Sequence, residues 1–208
     1  TALTGITDES LLAAHLRGEP AAFRELVQRY GDSLLRYLCH MTGNRDQAED
    51  LFQETFKRVH EKGHTFRGPR LKSWLFTICR NVFLRRRERN QRHDAIVEAN
   101  VGRSGPGPSP VSPVWSSVMG VDPEGDFFDV LVDDRIVQAI EELPEEYRMA
   151  VVLSDVEGLP YAEIAALMEV PVGTVKSRLF RGRRQLQQVL YDYAVEQGYV
   201  PARTGTEG

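Results

Sequence analysis

The stretch from Leu159 to Arg184 reads LPYAEIAALMEVPVGTVKSRLFRGRR and gathers the most charge chemistry in the chain. Five basic residues, Lys176, Arg178, Arg181, Arg183 and Arg184, fall between 176 and 184 with no acid among them. At helical spacing Val175, Leu179 and Leu186 form an inward stripe. Lys176, Ser177, Phe180, Arg181 and Arg184 are then left facing out. A helix of this kind suits the DNA major groove, where guanidinium and ammonium groups meet base edges and phosphates. Thr174 stands near the helix start, where hydroxyl and backbone N–H groups hold a phosphate. A short helix carrying Ile164, Ala165 and Leu167 inward precedes it, across the turn Glu169-Val170-Pro171. Glu169 stands where many such turns have glycine, so this turn cannot rely on glycine's freedom at positive φ. The bland alternative is a solvated basic face with no ligand.

A second basic run, Arg80 to Arg92, reads RNVFLRRRERNQR, with six Arg and one Glu. Phe66, Trp74 and Phe76 lie just upstream. Cations interleaved with aromatics suit single-stranded DNA, where phosphates are neutralised and unstacked bases meet rings. The loop from His64 to Arg70 is the candidate base pocket, with Phe66, Arg67 and Trp74. Arg80, Asn81, Arg85 and Arg86 are candidates for nearby phosphates and base edges. Trp74 also fits core packing, and the two roles do not exclude each other.

Asp46 to Val59, DQAEDLFQETFKRV, places Leu51, Phe52 and Phe56 inward and leaves Glu49, Asp50, Gln53, Glu54 and Lys57 outside. Composition alone reads this as a solvated amphipathic helix. Cys39-His40 adjoin, and His60 and His64 are four apart, so a metal or redox sensor is a rival reading. Gly63 interrupts the histidine pair and no CxxC exists, so no metal or other cofactor is expected. No nucleophile–base set and no phosphate loop is readable, so an enzyme is not expected.

The elements that must position these residues read as all-α. Strand-like alternation between hairpin turns is absent. Asp8 is expected to cap a short helix ending near Gly18. Pro20 opens a longer helix with Phe23, Leu26, Val27, Tyr30, Leu34, Leu38 and Met41 on one stripe. Asn44 or Asp46 starts a third helix, which buries Ala48, Leu51, Phe52, Thr55, Phe56 and Val59 and ends at Gly63. A fourth turns Leu71, Trp74, Leu75, Ile78 and Val82 inward, and the four suit one small bundle. Residues 102–117, GRSGPGPSPVSPVWSS, have little to bury and read as linker, with Trp115 either a chance aromatic or a docking anchor. The expected modules are 8–92 and 134–190, with a linker over 93–133 and a tail over 191–208. In the second module Ile136, Val137, Ile140 and Leu143 form a stripe. Pro144 then opens a helix to Gly158, and helices over 161–168 and 172–190 follow.

The net charge of −4 hides an asymmetry. Residues 8–92 carry 17 Lys+Arg against 11 Asp+Glu, residues 93–133 carry 1 against 7, and residues 134–208 carry 8 against 12. Local field governs binding, so an acidic total does not exclude nucleic acid. The linker acids, Asp122, Glu124, Asp126 and Asp129 among them, suit the Arg80–Arg92 face and, through the resemblance given below, a basic channel wall; a plain tether is the alternative. Composition, with 41% apolar and 27% charged residues, fits a globular protein. No run of 18 apolar residues exists, so no transmembrane helix is expected, and residues 1–7 do not resemble a signal peptide. A start at Thr1 implies that a few residues are missing. The two cysteines, Cys39 and Cys79, fit a reducing interior, so the cytoplasm is the expected home.

These segments, in this order, resemble a group IV (extracytoplasmic function, ECF) sigma factor of bacterial RNA polymerase. DQAEDLFQETFKRV is similar to region 2.2, TFRGPRLKSWLFTICRNVFLRRRER to regions 2.3 and 2.4, and LPEEYRMAVVLSDVEGLPYAEIAALMEVPVGTVKSRLFRGRRQLQ to regions 4.1 and 4.2. The match covers about 8–92 and 134–190. A lone helix-turn-helix of this kind also resembles many response regulators; both halves in order are far more specific. The resemblance implies two helical domains on a flexible linker, which bind core RNA polymerase through its β′ coiled coil and β flap. The region 2.2 helix would dock through Asp50, Gln53 and Glu54. Region 2 would melt and capture the −10 element as single strand. Region 4 would read the −35 element as duplex through Lys176, Ser177, Phe180 and Arg181, with Thr174, Arg178 and Arg184 as further DNA contacts. Many relatives are held by an anti-sigma factor, and no segment here identifies one. The rival is a two-domain regulator that binds duplex DNA only, which would need neither the arginine-aromatic segment nor the acidic helix.

Overall fold

The computed structural model describes residues 5–68, 70–99 and 134–196, and the chain separates into two compact units, residues 1–125 and 126–208. Among the described residues there are eight α-helices and no strand. Trp115 and the linker acids Asp122, Glu124, Asp126 and Asp129 lie outside the described residues, as does Pro69.

The first unit holds α1 (Asp8–Leu16), α2 (Pro20–Thr42), α3 (Arg45–Lys62), a 3-10 turn (Gly63–Thr65) and α4 (Leu71–Ala99). Asp8, expected as the first cap, lies inside α1; Thr7 caps it instead, its hydroxyl accepting from the Ser10 amide at 3.3 Å. Asp8 is thereby released for a tertiary role. Its carboxylate accepts from Arg29 Nη1 at 2.8 Å and from the Tyr30 hydroxyl, tying α1 to α2. Pro20 at the helix start and Gly43 in the left-handed cap bound α2. Asn44 caps α3, accepting from the Gln47 amide at 2.9 Å.

All six residues expected to face inward on α3 are buried. They meet Leu26, Leu34, Tyr37 and Leu38 of α2 and Leu71, Leu75, Phe76 and Cys79 of α4 in the unit's core. Tyr37 was not anticipated there. Its ring is fully buried edge-on to Phe76, 5.6 Å between centroids. Trp74 and Ile78, expected inward, are only half-buried; Phe76, Cys79 and Phe83 take the inner positions. The physical reason is helical phase: the buried stripe of α4 is centred between Leu75, Cys79 and Val82, and Trp74 stands at its edge. Residues 93–99, expected as linker, continue α4.

The second unit holds α5 (Asp134–Glu141), α6 (Glu145–Val151), a π-helical segment (Val152–Val156), α7 (Tyr161–Met168) and α8 (Val172–Glu196). Pro144 precedes the first turn of α6 as its cap. The π segment is marked by the Glu157 amide bonding the Val152 carbonyl five residues back, at 2.9 Å. Ile140, Leu143, Met149, Val151, Leu153, Ile164, Leu167, Val175 and Leu179 form the core.

One contact in the first unit makes the fold pH-sensitive. His15 of α1 stacks on Phe23 at 4.4 Å, and its Nε2 lies 3.1 Å from His60 Nδ1 of α3. In this contact one ring donates and the other accepts. Burial, and then the nearby His60, hold the His15 imidazole below the usual histidine range. Neutral His15 is thus favoured by folding, and its contribution is present above about pH 6.5 and lost as pH falls below that. On acidification from pH 7.5 to 5.5 the amide protection factors of α1, taken relative to the intrinsic exchange rate at each pH, are expected to fall. In the His15→Phe variant, which keeps the stack on Phe23, this pH dependence is expected to flatten.

Candidate nucleic-acid interface

In the second unit α7 and α8 form the expected helix-turn-helix. Ile164, Ala165 and Leu167 are buried with Met168 on α7, and Val175, Leu179 and Leu186 on α8. Lys176, Ser177, Phe180, Arg181 and Arg184 are exposed, and Phe180 is 67% exposed, the most open large apolar side chain among those described. An open phenyl ring between cations suits a thymine methyl or a base edge rather than water. Thr174 is half-buried, and its amide is already committed to the Pro171 carbonyl at 2.9 Å, so that N–H is not available to a phosphate.

The turn between the helices has no glycine, as its sequence states. Glu169 has φ 57° and ψ 42°, the only non-glycine positive φ among the described residues. The turn therefore uses the left-handed region, without glycine. The Val170 amide then reaches the Ala165 carbonyl at 3.0 Å, which closes the end of α7.

Two of the five cations do not lie on the outward face. Helical phase puts Arg178 and Arg183 on opposite edges of the buried stripe. Arg178 Nη2 donates to Glu146 at 2.9 Å and its side chain is only 21% exposed. Arg178, expected on DNA, is thus held by α6. Arg183 binds Asp155 of the π segment through Nε at 2.9 Å and Nη2 at 2.5 Å. Burial alone would raise the Asp155 carboxyl, but the Arg183 guanidinium and the Ser154 hydroxyl outweigh it and hold it below the carboxylate range. The sequence shows no acid within 176–184; the acids arrive from elements 30 residues away in chain order.

In the first unit Phe66 and Trp74 are half-buried and meet edge to face, 5.5 Å between centroids. Arg67 is exposed, and its Nη1 donates to the His64 and Phe66 carbonyls at 2.7 and 2.9 Å, fastening the loop. Phe76 is fully buried and presents no ring for stacking. Asn81 and Arg85 are exposed on the same side of α4 as Trp74, seven and eleven residues on. Arg80 is half-buried, and Arg86 turns toward α3.

Glu49, Asp50 and Lys57 are exposed on α3, and Gln53 and Glu54 are half-buried. Glu49 pairs with Arg45 at 3.0 Å, Glu54 with Arg58 at 2.7 Å, and Asp50 lies 3.9 Å from Arg86. A groove of about 270 Å³ runs between α3 and α4. Arg58, Arg85, Arg86, Arg89, Asp50 and Glu54 rim it over Leu51 and Val82. The acids expected to meet a protein and the arginines expected to meet DNA thus share one mixed-charge groove. Arg58 and Arg89 were missed; their signal was the i,i+4 spacing from Glu54 and Arg85. His60 pairs with His15, and among the described residues no group of three or more His, Cys, Asp or Glu could hold a metal. No helix among the described residues is long and apolar enough to cross a membrane.

A helix-turn-helix unit and a second unit that sets an aromatic pair beside exposed arginines define a two-module nucleic-acid-binding protein. Comparison with known proteins is specific about which. Residues 26–93 match the family model of sigma-70 region 2, and residues 133–186 that of sigma-70 region 4. The chain is 36% identical over 174 residues to the ECF RNA polymerase sigma factor SigE of Mycolicibacterium smegmatis, covering 83% of this chain and 63% of that one. It is 32% identical over 180 residues to the ECF RNA polymerase sigma factor SigW of Bacillus subtilis, covering 85% and 92%. Among solved structures, the sigma factor RpoE of Bartonella quintana, in complex with the anti-sigma factor NepR, matches with TM-score 0.62. The identity is 28%, over 81% of this chain and 96% of that one. CnrH, solved with the cytosolic domain of CnrY, matches in fold with TM-score 0.60 at 21% identity, over 89% and 97%. The chain belongs to the ECF sigma factors of the sigma-70 family.

The backbone at residue 169 gives a direct test of the turn. A non-glycine residue in the left-handed region costs about 1–2 kcal/mol, and glycine's extra unfolded-state freedom returns about 0.5–1. Glu169→Gly is expected to stabilise the second unit by about 0.5–1 kcal/mol, read from amide exchange of its core helices.

Proposed function

We propose that this chain joins core RNA polymerase in the cytoplasm as its promoter-specificity subunit. In this reading it recognises a −35 element as duplex and a −10 element as separated strand. The observation that carries it is the pairing, on one chain, of an outward Lys176–Ser177–Phe180–Arg181–Arg184 face with the Phe66–Trp74 pair beside Asn81 and Arg85. The first set suits an intact major groove. The second suits unstacked bases and their phosphates.

The energetics divide the work. Opening a duplex costs about 1.4 kcal/mol per base-pair step. Each base stacked on an aromatic ring returns about 1–3 kcal/mol, so capture of a few bases offsets opening without a nucleotide-triphosphate motor. Phe66 and Trp74 are half-buried, open on one side and supported on the other, as a stacking platform requires. Asp50, Gln53 and Glu54 carry the docking to a basic helical element of the polymerase, the β′ coiled coil in this reading, and the second unit meets the β flap. An anti-sigma factor, of the kind solved with RpoE, would hold the chain in reserve.

Two measurements test this. Asp50→Arg combined with Glu54→Arg is expected to abolish co-elution with core polymerase in gel filtration while circular dichroism is unchanged, because neither side chain belongs to the buried stripe of α3. Trp74→Ala is expected to lower permanganate reactivity of a duplex promoter roughly tenfold or more, equivalent to losing one stacked base. On a premelted template the reactivity should stay near wild type. Equal losses on both templates would count against a role in melting.

A further inference from the structure

The outward arginines of α8 are not held by α8 alone. Tyr147 lies in the first turn of α6, its amide bonded to the Pro144 carbonyl at 2.9 Å. Helix α8 crosses it at Gly182. A Cβ built there would fall 2.8 Å from Val151 Cγ2, 3.3 Å from Tyr147 Cβ and 3.6 Å from the Tyr147 carbonyl oxygen. A side chain here would collide with the Val151 methyl and crowd the Tyr147 side chain. The residue just before the crossing is Arg181, and its Nη1 donates to the Tyr147 hydroxyl at 3.3 Å. One turn earlier, Arg178 donates to the neighbouring Glu146 at 2.9 Å. Consecutive residues of α6 therefore grip guanidiniums three residues apart on α8.

The two grips differ in chemistry. Glu146 is a carboxylate: it neutralises Arg178, which is left 21% exposed. Tyr147 offers a neutral oxygen. It engages one of the five N–H donors of Arg181 and leaves the full charge and the remaining donors on an exposed side chain. A guanine edge asks for a bidentate contact in fixed geometry, whereas a phosphate accepts a cation over a wide range of approach. A hydrogen bond made before the ligand arrives limits the rotamer freedom that a long side chain must otherwise lose on binding.

We infer that Tyr147 is a positioning residue for sequence readout, holding the Arg181 guanidinium in the orientation in which it meets a base edge of the −35 duplex. This rests on the proposed role of α8 as the −35 reader. Loss of the hydroxyl then erodes discrimination between bases and leaves general attraction to DNA intact.

The experiment uses holoenzyme reconstituted from core polymerase and the full chain, with a promoter library randomised across the −35 element. Tyr147→Phe is expected to lower the base preference at one or two adjacent positions about 3- to 10-fold, the worth of one hydrogen bond. The other positions, the salt dependence of binding and the melting temperature stay unchanged. Arg181→Ala removes preference at the same positions, and adding Tyr147→Phe to it changes nothing further. An Arg181→Ala profile identical to wild type would sink the −35 reading itself. If Arg181→Ala acts but Tyr147→Phe leaves the profile unchanged, the positioning role is overturned. It is equally overturned if Tyr147→Phe weakens all sequences alike, as a lost phosphate contact would, or if the loss tracks a fall in melting temperature.

Discussion

Each helix that carries a candidate contact side chain is buried along one stripe and open along the other, and the buried stripe does the aiming. On α8, Val175, Leu179 and Leu186 are drawn into the core by apolar burial. Rotation about the helix axis is then fixed, and Ser177, Phe180, Arg181 and Arg184 have no direction left but outward. On α3, burial of Leu51, Phe52, Thr55, Phe56 and Val59 does the same for Asp50 and Lys57. On α4 the stripe through Leu75, Cys79 and Val82 leaves Trp74, Asn81 and Arg85 on the open side. Loops would hold such constellations less firmly. In the proposed function, where binding energy offsets duplex opening, disorder in these residues would subtract from the energy available.

Electrostatics then sorts residues that look equivalent. Five cations crowd nine positions of α8, yet Arg178 and Arg183 have carboxylate partners within the unit, while Arg181 meets a neutral hydroxyl. Part of a basic helix thus fastens the helix to its own domain. The groove between α3 and α4 shows the reverse: acids and arginines that suit different partners stand close together, with Asp50 3.9 Å from Arg86. That pair is half-exposed, so it holds Arg86 only weakly, and a competing phosphate or cation can displace either member.

The all-α character, the buried faces of α3 and α8 and the outward set on α8 were legible in the sequence because they follow from helical period, which is local. The cap of α1 was misplaced by one residue, since Thr7 and Asp8 are both good caps and only the distant Arg29 and Tyr30 draw Asp8 away. Trp74 was assigned inward because it is large and apolar. Packing instead selects Cys79 and Phe76, and Phe76 meets Tyr37, itself hidden from a pattern search by its polar tip.

By itself the sequence determined the order of the segments, the period of each helix and the asymmetry of charge along the chain. These depend on neighbours within a few residues, and they suffice to recognise both halves of a sigma factor. Only the tertiary structure decided which arginines are engaged within their own unit, that Glu169 takes a left-handed turn without glycine, and that Gly182 is a crossing point. Arg178 needs Glu146, Arg183 needs Asp155 and Gly182 needs Tyr147 and Val151, all about 30 residues earlier in the chain. Periodicity says which way a residue faces. It does not say what stands there to meet it, because that follows from how separate helices pack.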